Sequence, residues 1–196
     1  MPGRPSGPER GAPPRILDPI LSAWEAADRR RRGIRPLRDE GILGIERTRH
    51  RGPAIELRGG TILRPGDPVG EIHLRNDRVR ELEQRAGVAA AFREARADMR
   101  ALAAAEAPLP AAGRLAACHG AGIVARFAAR EGWEVRPRRR TAWQHVEDWY
   151  FRWLLVRWSP AGRERLRHGR GPLRSVDAWL TAGELSRRYG DGGASD

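Results

Sequence analysis

The segment Gly66-Asp67-Pro68-Val69-Gly70-Glu71-Ile72-His73-Leu74-Arg75-Asn76 holds the densest set of chemistry-bearing residues in the chain. Read as a strand it has two faces: Glu71, His73 and Arg75 project to one side at intervals of about 7 Å, with Ile72 and Leu74 on the other. A carboxylate beside an imidazole raises its proton affinity and orients it as a general base. Glu71 and His73 are therefore the first catalytic candidates, expected to face a concavity, and Arg75 and Asn76 are candidates for binding. The simpler reading is the polar outer face of a half-buried strand, because spacing fixes no third group.

A second set lies further along. His145, Asp148 and Arg152 fall at i, i+3 and i+7 and share one flank of a helix beside a row of aromatics. His145 and Asp148 are candidates for proton transfer and Arg152 for binding, and a solvated helix face with an ion pair is the simpler explanation. No metal is expected, since Cys118, His119, His50, His73, His145 and His168 show no C-x-x-C, H-x-x-x-H or H-E-x-x-H spacing. No cofactor is expected either: Gly120 and Gly122 lack the rest of a nucleotide-binding loop. Cys118 reads as a small buried residue rather than a nucleophile.

The elements that must position these residues follow from periodicity. Residues 1–15 and 191–196 are rich in Pro, Gly and polar residues and read as disordered tails around one domain over 16–190. Asp18 and Pro19 open a helix with Ile20, Leu21, Trp24 and Ala27 on a face expected to pack on a sheet, and Gly33 closes it. From Ile42 to Arg75 the period becomes two and predicts an antiparallel meander, with Gly59-Gly60 as a hairpin turn. A helix from Asp77 carries Val88, Phe92, Ala95, Met99 and Leu102 as its apolar stripe. The Ala-rich stretch Leu115–Arg130 reads as helical, with Gly120 and Gly122 allowing close packing and Gly132 as the stop. Strand WEVR follows, then a helix whose Trp143, Val146, Trp149, Tyr150, Trp153 and Leu154 read as core. Ser175–Leu180 is a last strand, and Thr181 with Glu184 forms a capping box for a last helix. The fold class is α+β: a small, mostly antiparallel sheet, the meander plus two later strands, packed against several helices.

Composition bounds the partners. The formal charge is +12 over 196 residues, and all 37 basic residues are Arg. A polyanion is the usual partner for such a charge, but the absence of Lys and the abundance of Ala and Gly reflect a compositional bias that inflates arginine regardless of function. The patches are Arg29–Arg32 and Arg138–Arg140, the latter read as a solvated loop. Neither a helix-turn-helix nor an RNP aromatic pattern organises them, so any nucleic-acid binding should be weak and non-specific. The first helix, apolar residues followed by four arginines, also fits an anionic membrane surface. No apolar run approaches the roughly 20 residues of a bilayer span, and a single cysteine excludes an intramolecular disulfide, so a cytoplasmic protein is expected, peripheral at most to the inner face of the membrane.

Four segments carry a resemblance: DPIL at 18–21, RGPAIELRGGTILRPGDPVGEIHLRN at 51–76, RFAAREGWEVRP at 126–137 and AWLTAGELSRRYG at 178–190. Together they resemble the bacterial YkoP-like domain, most specifically in GD-x-x-GEIHLRN and in the closing strand and helix ending in RRY. That domain occurs alone or beside polysaccharide-deacetylase-like domains. The resemblance implies a binding or accessory role near cell-envelope polysaccharide or glycolipid metabolism, with an envelope glycan or lipid as ligand. The deacetylase's own metal ligands are not present here, so its chemistry does not carry over. The alternatives are a small metal-independent enzyme using Glu71 and His73 on a glycan or phospholipid-like substrate, and a non-specific nucleic-acid binder working through its Arg patches.

Overall fold

The structure, a computed structural model, describes residues 18–122, 128–138, 142–158 and 175–190. The expected tails, Arg139, Arg140, His168 and the side chains of Trp143 and Arg152 lie outside the described residues. Helix α1 (Asp18–Arg31) leads into β1 (Arg35–Pro36) and β2 (Leu43–Arg49), then β3 (Ile55–Glu56), β4 (Ile62–Leu63) and β5 (Pro68–Leu74). Helix α2 (Asn76–Glu106), β6 (Ala117–Gly122), β7 (Glu134–Pro137), α3 (Ala142–Trp158), β8 (Val176–Thr181) and α4 (Ala182–Tyr189) complete it. The class is α+β: among the described residues there is a six-stranded, mostly antiparallel sheet in the order β1-β2-β5-β6-β8-β7, a separate two-stranded sheet β3-β4, and four helices.

The meander takes a different form from the expected one. β2 and β5 pair directly, and β3 and β4, turned by Gly59 and Gly60 at positive φ, leave the sheet as a hairpin. Only the long strands bury enough side chain on both faces to hold a central place. β5 pairs with β6 in parallel, the geometry that needs a crossover, and α2 provides it.

The expected helix over Leu115–Arg130 is overturned in its first part, where Ala117–Gly122 is a central strand between β5 and β8, while 123–127 lie outside the described residues. Ala favours a helix by only a few tenths of a kcal/mol per residue over most others, and sheet pairing on both edges outweighs that. Small residues suit the place for a different reason from the one expected. A side chain at Gly122 would meet the Phe151 ring of α3 at 3.2 Å. Gly132 does act as a stop, in a left-handed conformation directly after the 3₁₀ turn Ala129–Glu131.

Alternation gives the sheet two unlike faces. Leu43, Ile45, Ile72, Leu74, Cys118, Ala178 and Leu180 point to one side, where Met99, Leu102 and Ala103 of α2, Trp153 and Leu154 of α3, and Leu185 and Tyr189 of α4 close the main core. Two buried carboxylates fasten α2 to the sheet on this side. Asp98 accepts from the backbone N–H of Ile42 at 2.7 Å and of Leu43 at 2.8 Å and from Arg38 Nε at 2.7 Å. Glu106 accepts from the N–H of Leu115 at 2.9 Å and from Arg47. A side chain on Gly41 would collide with the Asp98 carboxylate, so the glycine is what lets the chain close over it.

The apolar stripes hold in part. Met99 and Leu102 are buried, but Val88 is exposed: it is the first residue after Gly87, where α2 breaks at a φ of 75°. In α3, Trp153 and Leu154 are core, whereas Val146 and Trp149 are 52% and 42% exposed, so their assignment to the core is corrected. Among the described side chains of this 17-residue helix, Tyr150, Phe151, Trp153 and Leu154 meet the core, whereas His145, Val146 and Trp149 are exposed. Ile20 and Trp24 of α1 are exposed too, rather than packed on the sheet. Instead α1 engages α3, with Trp24 edge-on to Tyr150 at 5.9 Å. The capping box forms: Glu184 N–H donates to Thr181 Oγ1, and Thr181 N–H to the Glu184 carboxylate. Among the described residues, no helix is long and apolar enough to cross a membrane.

Candidate functional site

The other face of the sheet is polar at its centre. Cross-strand register sets Glu46 of β2 opposite Glu71 of β5, Glu71 beside His119 of β6, and Ala121 of β6 opposite Asp177 of β8, so four ionisable side chains and His73 share one surface. Two carboxylates placed directly opposite repel. Arg32, the residue after α1, answers that repulsion: its Nη2 lies 2.6 Å from Glu46 Oε2 and 2.7 Å from Glu71 Oε2. A smaller apolar patch of Leu57, Leu63, Val69, Ala117 and Trp179, covered by the β3-β4 hairpin, borders the cluster.

His119 stacks on Trp179 with ring centres 4.2 Å apart, and its Nε2 is 3.1 Å from Asp177 Oδ1 while Nδ1 is 3.9 Å from Glu71 Oε1. Arg138 reaches the same Asp177 oxygen at 3.2 Å and Glu147 of α3 at 2.6 Å. Its expected place in a solvated loop is thereby corrected. His73 Nε2 lies 3.4 Å from Glu46 Oε2 and 3.9 Å from Glu71 Oε2, is closed to solvent, and has no hydrogen-bond partner.

These placements set the charge states. The polar contact with the His119 ring first, and then the charges of His119, Arg32 and His73, hold the Glu71 carboxyl at about 2 against the opposing effect of burial. Burial acts to lower the proton affinity of His119, but Asp177 and Glu71 outweigh it and the net direction is up. For His73, burial and then Arg32 push the proton affinity down, against the pull of Glu71 and Glu46. The proton affinities of the two histidines, on one face of one sheet, are thus shifted in opposite directions. Across the sheet, burial pushes the Cys118 thiol up to about 12, aided by the Glu106 charge, so it is an inert core residue at neutral pH.

Glu71 and His73 are thus brought together as their alternation predicts, on a sheet surface under Arg32. The shallow cleft between α1 and the start of α2, about 60 Å³ in volume and lined by Glu25, Arg29, Asn76 and Arg80 among others, shares no residue with them. Arg75 is not beside them: its Nη1 donates to the carbonyls of Asp39 at 2.8 Å and Gly41 at 2.9 Å, holding the loop before β2. Asn76 donates to Glu25 Oε1 at 2.9 Å. Asp148 accepts from the N–H of Ser175 at 2.9 Å, anchoring the start of β8, and His145 is exposed on the first half of α3. Sequence reasoning missed Arg32, Glu46, His119 and Asp177. Glu46 had a signal, the alternation of Leu43 and Ile45, which puts it on the opposite side; His119 had none once its segment was read as a helix.

The fold and this cluster define a class: a single α+β sheet with a helical core on one face and a charged, half-buried network on the other. The YkoP domain family model matches residues 15–189, and the chain belongs to that family. No curated protein and no solved structure matches it.

Proposed function

We propose that this is a non-catalytic binding or accessory domain for envelope polysaccharide or glycolipid, recognising sugar rings on the α1–α3 surface. It would act in the cytoplasm, and at the inner face of the membrane when the glycan is lipid-linked. The observation that carries the reading is the exposure of two tryptophans, Trp24 at 54% and Trp149 at 42%, on the two helices that meet at Tyr150. An exposed indole forgoes roughly 1.5–3 kcal/mol of burial, and a flat amphipathic ring is the surface on which sugar rings stack. The association of YkoP-like domains with polysaccharide-deacetylase-like domains supports the choice of ligand class.

The network on the sheet supports binding over catalysis. A carboxyl held at about 2 is a poor general base near neutral pH and is not protonated to act as an acid. Its neighbours are already engaged with one another: Arg32 with both glutamates, His119 with Asp177.

The test is calorimetric titration with N-acetylglucosamine oligosaccharides and sedimentation with glycolipid-containing vesicles, using the full chain. Trp149→Ala should weaken sugar binding by about tenfold or more, equivalent to about 1.4 kcal/mol, while moving Tm by less than about 4 °C. Trp153→Ala, which empties a core position, should cost about 3–5 kcal/mol of stability. Binding to plain anionic phospholipid vesicles alone, unaffected by Trp149→Ala, would mean adsorption driven by charge and would overturn the reading.

A further inference from the structure

We propose that Glu46, Glu71 and His73 form a site for a divalent transition-metal cation, and that Arg32 occupies it as an internal counter-cation which the metal displaces. The inference rests on geometry separate from the tryptophan surface and stands or falls independently of it.

One ligating atom from each of the three residues lies within 4.8 Å of the others. A tetrahedral ion with ligands about 2.1 Å away separates its ligand atoms by about 3.4 Å. His73 Nε2 lies 3.4 Å from Glu46 Oε2 and 3.9 Å from Glu71 Oε2, so the imidazole already stands near ligand separation from both carboxylates, which lie within 4.8 Å of each other. The donors are one imidazole nitrogen and two carboxylate oxygens. That mixture suits zinc, manganese, cobalt or ferrous iron better than calcium or magnesium, which prefer oxygen alone, or soft metals, which prefer sulfur.

A second observation points the same way. His73 Nε2 is the one buried side-chain nitrogen or oxygen among the described residues that has no hydrogen-bond partner. It faces two carboxylates whose charge is met by the Nη2 of one guanidinium. A guanidinium has no acceptor for an imidazole N–H and no orbital for its lone pair, so Arg32 satisfies the glutamates and leaves the histidine unserved. A metal ion serves all three. The strands hold the ligands rigidly, because Glu46 and Glu71 are register partners and His73 is two residues along the same strand. His119, 3.9 Å from the far oxygen of Glu71, is placed to steady that carboxylate from outside.

Arg32 is built to leave. It follows the last residue of α1 and precedes Gly33, whose φ of 64° ends the helix. Its Nη1 is 3.8 Å from Asp28 Oδ2, one turn back, so an alternative partner exists on its own helix. Every group it now binds is a side chain and no backbone atom must move for it to withdraw.

Titration of the full chain with Zn²⁺ by calorimetry, and with Co²⁺ by visible absorption, tests this. Arg32→Gln should tighten Zn²⁺ at least about tenfold over the parent, because the ion no longer competes with a tethered cation. His73→Gln should weaken it at least about tenfold, with loss of the cobalt absorption band, and Glu46→Gln should act likewise. His50→Gln, on the same side of the molecule but outside the triad, should leave affinity unchanged. Should Arg32→Gln fail to fold without metal, Zn²⁺ should restore its unfolding transition. Affinity unchanged or weakened by Arg32→Gln, affinity indifferent to His73→Gln, or an unfolded Arg32→Gln that Zn²⁺ does not rescue would each overturn the proposal.

Discussion

Asp98 and Glu71 are both carboxylates held against a guanidinium on the same sheet, and they differ in what else holds them. Asp98 is completely buried and takes two backbone N–H groups of β2's approach, with Arg38 as a third donor. Those N–H groups exist only where the main chain puts them, so the interaction is part of the fold itself. Glu71 is half-buried and its partners are side chains alone: Arg32, His119 and His73. Side chains can exchange partners without unfolding a strand. A carboxylate nailed by backbone is therefore structural, and one balanced among side chains is where a ligand can enter. The helical face of the sheet carries the first kind and the open face the second.

The sharpest break of that contrast is Asp98→Ala. It orphans two buried N–H groups and removes one of the two carboxylates that hold Arg38, and should cost about 3–5 kcal/mol in urea denaturation. Arg32→Ala, on the open face, should cost only about 1–2 kcal/mol without metal, because the two glutamates it uncovers still reach water. If the two losses proved equal, the distinction between backbone-held and exchangeable carboxylates would fail.

The next effect is a slope. Glu71 has a folded pKa of about 2, below its unfolded value near 4.3. The folded state therefore binds fewer protons at this group than the unfolded one, so its contribution is present above about pH 4.3 and is lost as pH falls towards 2. Glu71→Gln should flatten the fall of stability across that window, read from urea midpoints measured at successive pH values. Smallest in energy but clearest in sign is the split between the histidines. In an NMR titration of imidazole protons, His119 should titrate above the ordinary histidine value and His73 below it. A reversed order would mean that Arg32 and Glu71 do not face these rings as described.

Local patterns were legible wherever local physics dominates. The Gly33 stop of α1, the Gly59-Gly60 turn, the WEVR strand and the Thr181–Glu184 capping box all appear where the sequence puts them, since each depends on neighbours within a few residues. So was the shared face of Glu71 and His73, because strand alternation is a property of the backbone. Family membership was legible too, in GD-x-x-GEIHLRN and the closing RRY.

What only the tertiary structure decided is everything that depends on which segment lies beside which. Ala117–Gly122 has the composition of a helix and is a strand because β5 and β8 hold both its edges. Val146 and Trp149 have the spacing of a core face and are exposed, because the described side chains of α3 that meet the core are Tyr150, Phe151, Trp153 and Leu154. Above all, the triad draws Glu46 from one strand and Glu71 and His73 from another, with Arg32 swung in from the end of a helix. Their separations in sequence carry no metal-ligand spacing, for a physical reason. A periodic pattern encodes the direction in which a side chain points, whereas a site needs two directions to converge, and that convergence is set by strand register, the product of the whole packed sheet.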